Sequence, residues 1–139
     1  PFQRPLLATD WSPASLRAVD YLLELKPLIE EIQLVHVVDE GAIEGSSVMN
    51  AQKTRKDVKE RLEEICSRLI SAGIAARSHV YVGDPEEGIE KAAKECQATV
   101  VVLGSSSKNL WVERWVGSTP RAVAEKSVFP TLLIPPVME

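Results

Sequence analysis

The sequence predicts an α/β protein built on a parallel sheet with helices on both faces. Two observations carry that expectation. Short runs rich in Val, Ile, Leu and Ala recur along the 139 residues, and a longer amphipathic stretch separates each run from the next. The alternation reads β-α-β-α-β-α-β-α-β. Parallel neighbours need a crossover, the crossover is right-handed, and it leaves helices covering the sheet. A chain of about this size buries roughly 68–70% of its unfolded surface, enough for one independent core. Residues 1–139 are therefore expected to form one domain.

The elements follow in order. Residues 5–8 open the sheet, and residues 13–25 form the first helix, with Ser12 as its cap and Pro13 as the first helical residue. Residues 32–38 are the second strand. The second helix, about 51–72, has the clearest pattern: Val58, Leu62, Ile65 and Leu69 share one face, Lys/Glu pairs at four-residue spacing occupy the other, and Gly73 stops it. After a strand at 75–82, a third helix opens at Asp84-Pro85-Glu86-Glu87. Asp84 caps it, Glu87 answers the cap, and Ile89, Ala92, Ala93 and Cys96 turn inward. A strand at 99–103, a helix at about 120–126 and a strand at 131–134 complete the chain, the last read as an edge strand between Pro130 and Pro136.

Composition excludes several functions. An apolar share of 45% is too high for a disordered chain, and no apolar run reaches the roughly 18–20 residues of a membrane span. A net charge of −4 with 5% aromatics argues against the basic, ring-lined groove of a nucleic-acid binder. No signal-peptide pattern opens the chain, so the cytoplasm is expected, with neither nucleic acid nor membrane as partner. Cys66 and Cys96 lack a CxxC spacing or a neighbouring His cluster and read as small packed residues of a reducing compartment. His36 and His79 alternate with strand residues and read as packed or hydrogen-bonded structural histidines. No metal site held by protein ligands and no catalytic residue is expected.

Ligands of open parallel sheets sit beyond the carboxyl ends of the strands, where the strand order reverses. The segments there are 9–12, 39–50, 83–85 and 104–119, of which the first and last are the most unusual. The last runs from Gly104-Ser105-Ser106-Ser107-Lys108-Asn109 to Gly117-Ser118-Thr119-Pro120. Glycine lets the main chain approach a phosphate, the free N–H groups of a helix start attract it, and hydroxyls add donors. Pro120 subtracts one such donor. Neither G-x-x-x-x-G-K-[ST] nor G-x-G-x-x-G occurs. Spacing alone leaves phosphate binding and an ordinary strand-to-helix connection both open. Trp111 and Trp115 either clamp this loop or face a partner.

At this loop the sequence resembles the universal stress protein family. That family's nucleotide-binding signature is a glycine, two residues, a second glycine, nine residues, then glycine followed by Ser or Thr. Gly104, Ser107, Gly117 and Ser118 match it, except that Ser107 stands where the second glycine would be. The resemblance covers essentially the whole chain: LLATDWSPASLRAV is similar to the family's first strand and helix, LVHVVDE to its second strand, VGDPEEGI to its third crossover, and VVLGSSSKNL through TLLIP to its last third. It implies a five-stranded parallel sheet of order 3-2-1-4-5, Rossmann-like and similar to the adenine nucleotide alpha hydrolases. It also implies a homodimer through the C-terminal edge strand, and an adenine nucleotide (ATP, or AMP or ADP) across the switch point.

By the same resemblance Asp10, flanked by Ala8 and Thr9, contacts the ribose side, and the Val37 main chain reads adenine. Leu103 and Gly104 border the ribose and first phosphate, and Ser107, Gly117, Ser118 and Thr119 wrap the phosphates, with Lys108 adding charge. Mg or Mn would be held through the phosphates, Asp39 being the other acid nearby. If the second glycine needs a positive φ, Ser107 costs on the order of 1 kcal/mol, about a fivefold loss of affinity. If it needs only closeness, Ser107 is small enough and adds a hydroxyl. The implied function is a nucleotide-binding stress-response or regulatory module. The alternative is a dimerising interaction module of the family's non-ATP-binding branch with a vestigial pocket. A phospho-acceptor receiver domain shares the five-strand pattern but needs an acidic pair after the first strand and a Lys after the fifth. Here Trp11 follows Asp10 and Pro135 follows Ile134. No residue is placed as a general base near neutrality, so slow ATP hydrolysis is the most catalysis expected.

Overall fold

The computed structural model describes residues 2–9, 11, 13–39, 48–104 and 131–134. Among them, β1 (Pro5–Ala8), β2 (Glu31–Asp39), β3 (Ala75–Gly83), β4 (Val100–Gly104) and β5 (Thr131–Ile134) form one parallel sheet in the order β3-β2-β1-β4-β5. Helices α1 (Pro13–Glu24), α2 (Val48–Ser71) and α3 (Pro85–Glu95) connect the first four strands, with a short 3-10 turn at Lys26–Leu28. The expected cap Ser12 and the expected helix at 120–126 lie outside the described residues.

The two-residue period of the strands divides the core into two layers. Leu7, Ile32, Leu34, Val38, Val100 and Val102 point to one side, where Ala18, Val19 and Leu22 of α1 and Val58, Leu62 and Leu69 of α2 meet them. Leu6, Ala8, Val35, Val37, Val101 and Leu103 point to the other, against Ile89, Ala92 and Ala93 of α3. Because helices cover both faces, β1 and the first four residues of β4 are apolar and buried without alternation, as central parallel strands require.

The helices start and stop for local reasons. Asp84 accepts a hydrogen bond from the Glu87 N–H at 3.1 Å and so caps α3 one residue before Pro85. Past the end of α2, Gly73 takes a φ of +90°, the left-handed step that ends helices. Gly88 serves packing instead, since a Cβ there would lie 2.8 Å from one methyl of Val37 and 3.0 Å from the other. Only glycine lets α3 lie this close to β2. No helix of the described residues is long and apolar enough to cross a membrane.

Candidate functional site

The chain leaves β1 toward β2 on one side, while β4 lies on the other, so the order reverses between β1 and β4. At that point Ala8 is in register with Val35 of β2 and with Leu103 of β4. Ala8, Val37 and Leu103 share the core layer under α3, and Gly104 ends β4 in register with Ile134. The structure thus brings Ala8, Thr9, Val37, Leu103 and Gly104 to one end of the sheet. Asp10, Ser107, Lys108, Gly117, Ser118 and Thr119 lie outside the described residues.

β2 outruns β1 here. The last ladder bond between them runs from the Thr9 N–H to the Val35 C=O at 2.9 Å. In a parallel ladder the next would run from the Val37 N–H to the Thr9 C=O. It does not form: the Thr9 carbonyl accepts instead from Nδ1 of His36 at 2.7 Å. A carbonyl only accepts, so Nδ1 carries the proton. β2 nevertheless continues to Asp39, held by β3 through the pairing of Asp39 with Gly83. Val37, two residues beyond Val35, therefore turns its N–H and C=O to the side where β1 has ended.

The turn after β1 is tied down from several elements. Thr9 is fully buried, its hydroxyl accepts from the Trp11 N–H at 3.1 Å, and it shares a hydrogen bond with the Ser15 hydroxyl at 3.0 Å. Trp11 sits at φ 66°, a left-handed conformation that costs a bulky residue roughly 1–2 kcal/mol. Its ring stacks on His36 with centroids 4.9 Å apart, and the Arg61 guanidinium of α2 lies 4.6 Å above it. Stacking of about 0.5–1.5 kcal/mol and a cation–π contact of about 0.5–2 kcal/mol are the right size to hold that backbone. Sequence reasoning singled out Asp10 and missed this stack. The one signal in the sequence was a bulky Trp beside an acid in a tight turn; Arg61, on a distant helix, gave none.

A second polar group lies toward the opposite end. The Gln33 amide nitrogen donates to Glu31, so its oxygen faces His79 and accepts from Nε2 at 2.7 Å. Cys96 Sγ stands 3.7 Å from the same nitrogen. This pair is no thiolate dyad. Burial, then the charges of Arg77 and Lys59, holds His79 below its ordinary pKa, while burial and then Glu95 push the Cys96 thiol up. Burial followed by Glu63 raises Cys66 to about 11. Both cysteines are unpaired by disulfide and packed as expected. Among the described residues no group of three or more His, Cys, Asp or Glu stands where it could hold a metal ion.

An open parallel sheet, covered on both faces and with its strand order reversing between β1 and β4, defines a doubly wound α/β protein. The chain belongs to the universal stress protein family, whose sequence model matches residues 1–135. It is 26% identical to universal stress protein MJ0577 of Methanocaldococcus jannaschii, over 96% of this chain and 94% of that protein. The solved MJ0577 structure superposes with a TM-score of 0.79 at 28% identity, covering 99% of each chain. Two further structures share the fold. A universal stress protein in complex with cAMP has a TM-score of 0.64 at 22% identity, covering 96% of this chain and 97% of its own. An Arabidopsis thaliana family protein with AMP bound has a TM-score of 0.63 at 19% identity, covering 97% of this chain and 92% of its own.

Proposed function

We propose that the protein binds an adenine nucleotide at the carboxyl edge of β1, β2 and β4 and acts as a cytoplasmic stress-response or regulatory module. The observation that carries this reading is the broken ladder at Val37: a main-chain N–H and C=O turned to the side where β1 has ended match the donor and acceptor edge of a purine. Family members with cAMP and with AMP bound support an adenine ligand. In this reading Asp10, between Thr9 and Trp11, holds the ribose side, and Leu103 and Gly104 border the ribose and first phosphate. Ser107, Gly117, Ser118 and Thr119 carry the phosphates through N–H groups and hydroxyls, assisted by Lys108. ATP is the proposed ligand, with Mg or Mn held through its phosphates. The proposal includes pairing of two copies through β5, an edge strand of the sheet.

Titration calorimetry and thermal unfolding with ATP and Mg test the proposal. The expected result is measurable heat and a raised Tm at about millimolar nucleotide, since a ligand that binds only the folded state stabilises it. Absence of both contradicts it. Sedimentation of the free protein tests the pairing, with a dimer expected.

A further inference from the structure

We infer that His36 is a positioning residue: it stops the β1–β2 ladder one bond short and thereby keeps the Val37 N–H available to the ligand. The inference rests on the nucleotide reading above and assigns a cause to the feature that reading uses. Regular pairing would bring the Val37 N–H to the Thr9 carbonyl, whose oxygen can accept two hydrogen bonds, yet only His36 Nδ1 bonds to it, at 2.7 Å, and the ladder bond is missing.

Packing does not call for histidine at this position. Its neighbours on the same face of β2, Leu34 and Val38, are aliphatic members of the core layer beneath α1 and α2. An aliphatic residue at 36 would continue that row and leave the carbonyl to the ladder. The imidazole is also aimed from outside its own strand. Trp11 stacks on it, the Trp11 N–H is fixed to the Thr9 hydroxyl, and Arg61 covers the Trp11 ring. The turn after β1, strand β2 and helix α2 thus converge on one hydrogen bond. A left-handed Trp11 is the kind of strained backbone that persists where surrounding contacts over-determine it.

The test compares the wild-type chain with His36→Leu and His36→Asn, reading ATP affinity and, without ATP, amide hydrogen exchange at Val37. His36→Leu frees the Thr9 carbonyl for the ladder, so Val37 exchange is expected to slow about tenfold or more, and ATP affinity to fall about tenfold with the loss of one purine contact. His36→Asn sets an amide N–H where Nδ1 stands and is expected to match the wild type in both. General loosening of the site would speed exchange, the opposite sign. Unchanged or faster Val37 exchange in His36→Leu, unchanged ATP affinity there, or loss of ATP binding in a folded His36→Asn overturns the inference. A wild type that takes up no ATP overturns the nucleotide reading itself; Val37 exchange in His36→Leu then still decides whether His36 stops the ladder.

Discussion

At residue 88 a single methyl group decides how closely α3 can lie on β2. The Cβ of Gly88→Ala would stand 2.8 Å from Val37, so the helix must retreat or the strand must shift. Overpacking of this kind costs about 1–3 kcal/mol, and urea denaturation should show a loss in that range. Val37→Ala removes the methyls in the way, so the double variant should lose less than the sum of the single losses; strict additivity would place the strain elsewhere. His79 makes a prediction in pH. Its folded pKa lies below the ordinary 6.5, so the unfolded chain takes up a proton first as pH falls. Stability is full above the unfolded value and is lost as pH drops through it toward the lower folded one. Comparing urea midpoints at about pH 7.5 and about pH 5.5, His79→Asn should flatten part of the wild-type decline; identical slopes would contradict the cause given. Both residues were half legible in the sequence. A glycine inside a helix and a histidine inside a strand can be seen there, but the Val37 methyls and the Gln33 amide oxygen that give them their roles come from other segments.

Among the elements, α2 docks by the face that its apolar period predicts. Val58, Leu62 and Leu69 are buried, Ile65 is partly buried against the same layer, and Lys59 pairs with Glu63 on the exposed face at 3.9 Å. Leu62→Ala should cost about 2–5 kcal/mol, while Lys56→Ala, on the exposed face, should stay within about 0.5 kcal/mol. Equal effects in urea denaturation would mean that α2 does not dock by this face. The ends of elements were less legible. The apolar pattern predicted 32–38 for β2, but the strand runs Glu31–Asp39, because main-chain pairing of Glu31 with Ala75 and Asp39 with Gly83 does not depend on side-chain polarity. α2 likewise begins at Val48, before its repeat becomes regular. The 3-10 turn at Lys26–Leu28 had no sequence signal, since a Pro after a helix marks a stop without dictating the conformation beyond it.

For the whole molecule, alternation of strand and helix was enough to predict a parallel sheet covered on both faces, and the order of its strands came from the family resemblance. The site divides similarly. Ala8, Thr9, Val37, Leu103 and Gly104 meet at the carboxyl edge because ladder register carries them there. The Trp11, His36 and Arg61 stack was hidden because it joins three segments distant in sequence. Net charge does not decide the proposed site: a total of −4 would not oppose a phosphate ligand if, as proposed, N–H groups and hydroxyls held it. Whether β2's main chain receives an adenine nucleotide beside the end of β1, as proposed, is decided by following backbone amide resonances during titration with ATP and Mg. Thr9, Val37 and Gly104 are expected to move most while Glu31, Ala75 and Val100, at the amino ends of their strands, stay still. Immobile resonances throughout, or shifts gathered at the amino ends, would contradict it.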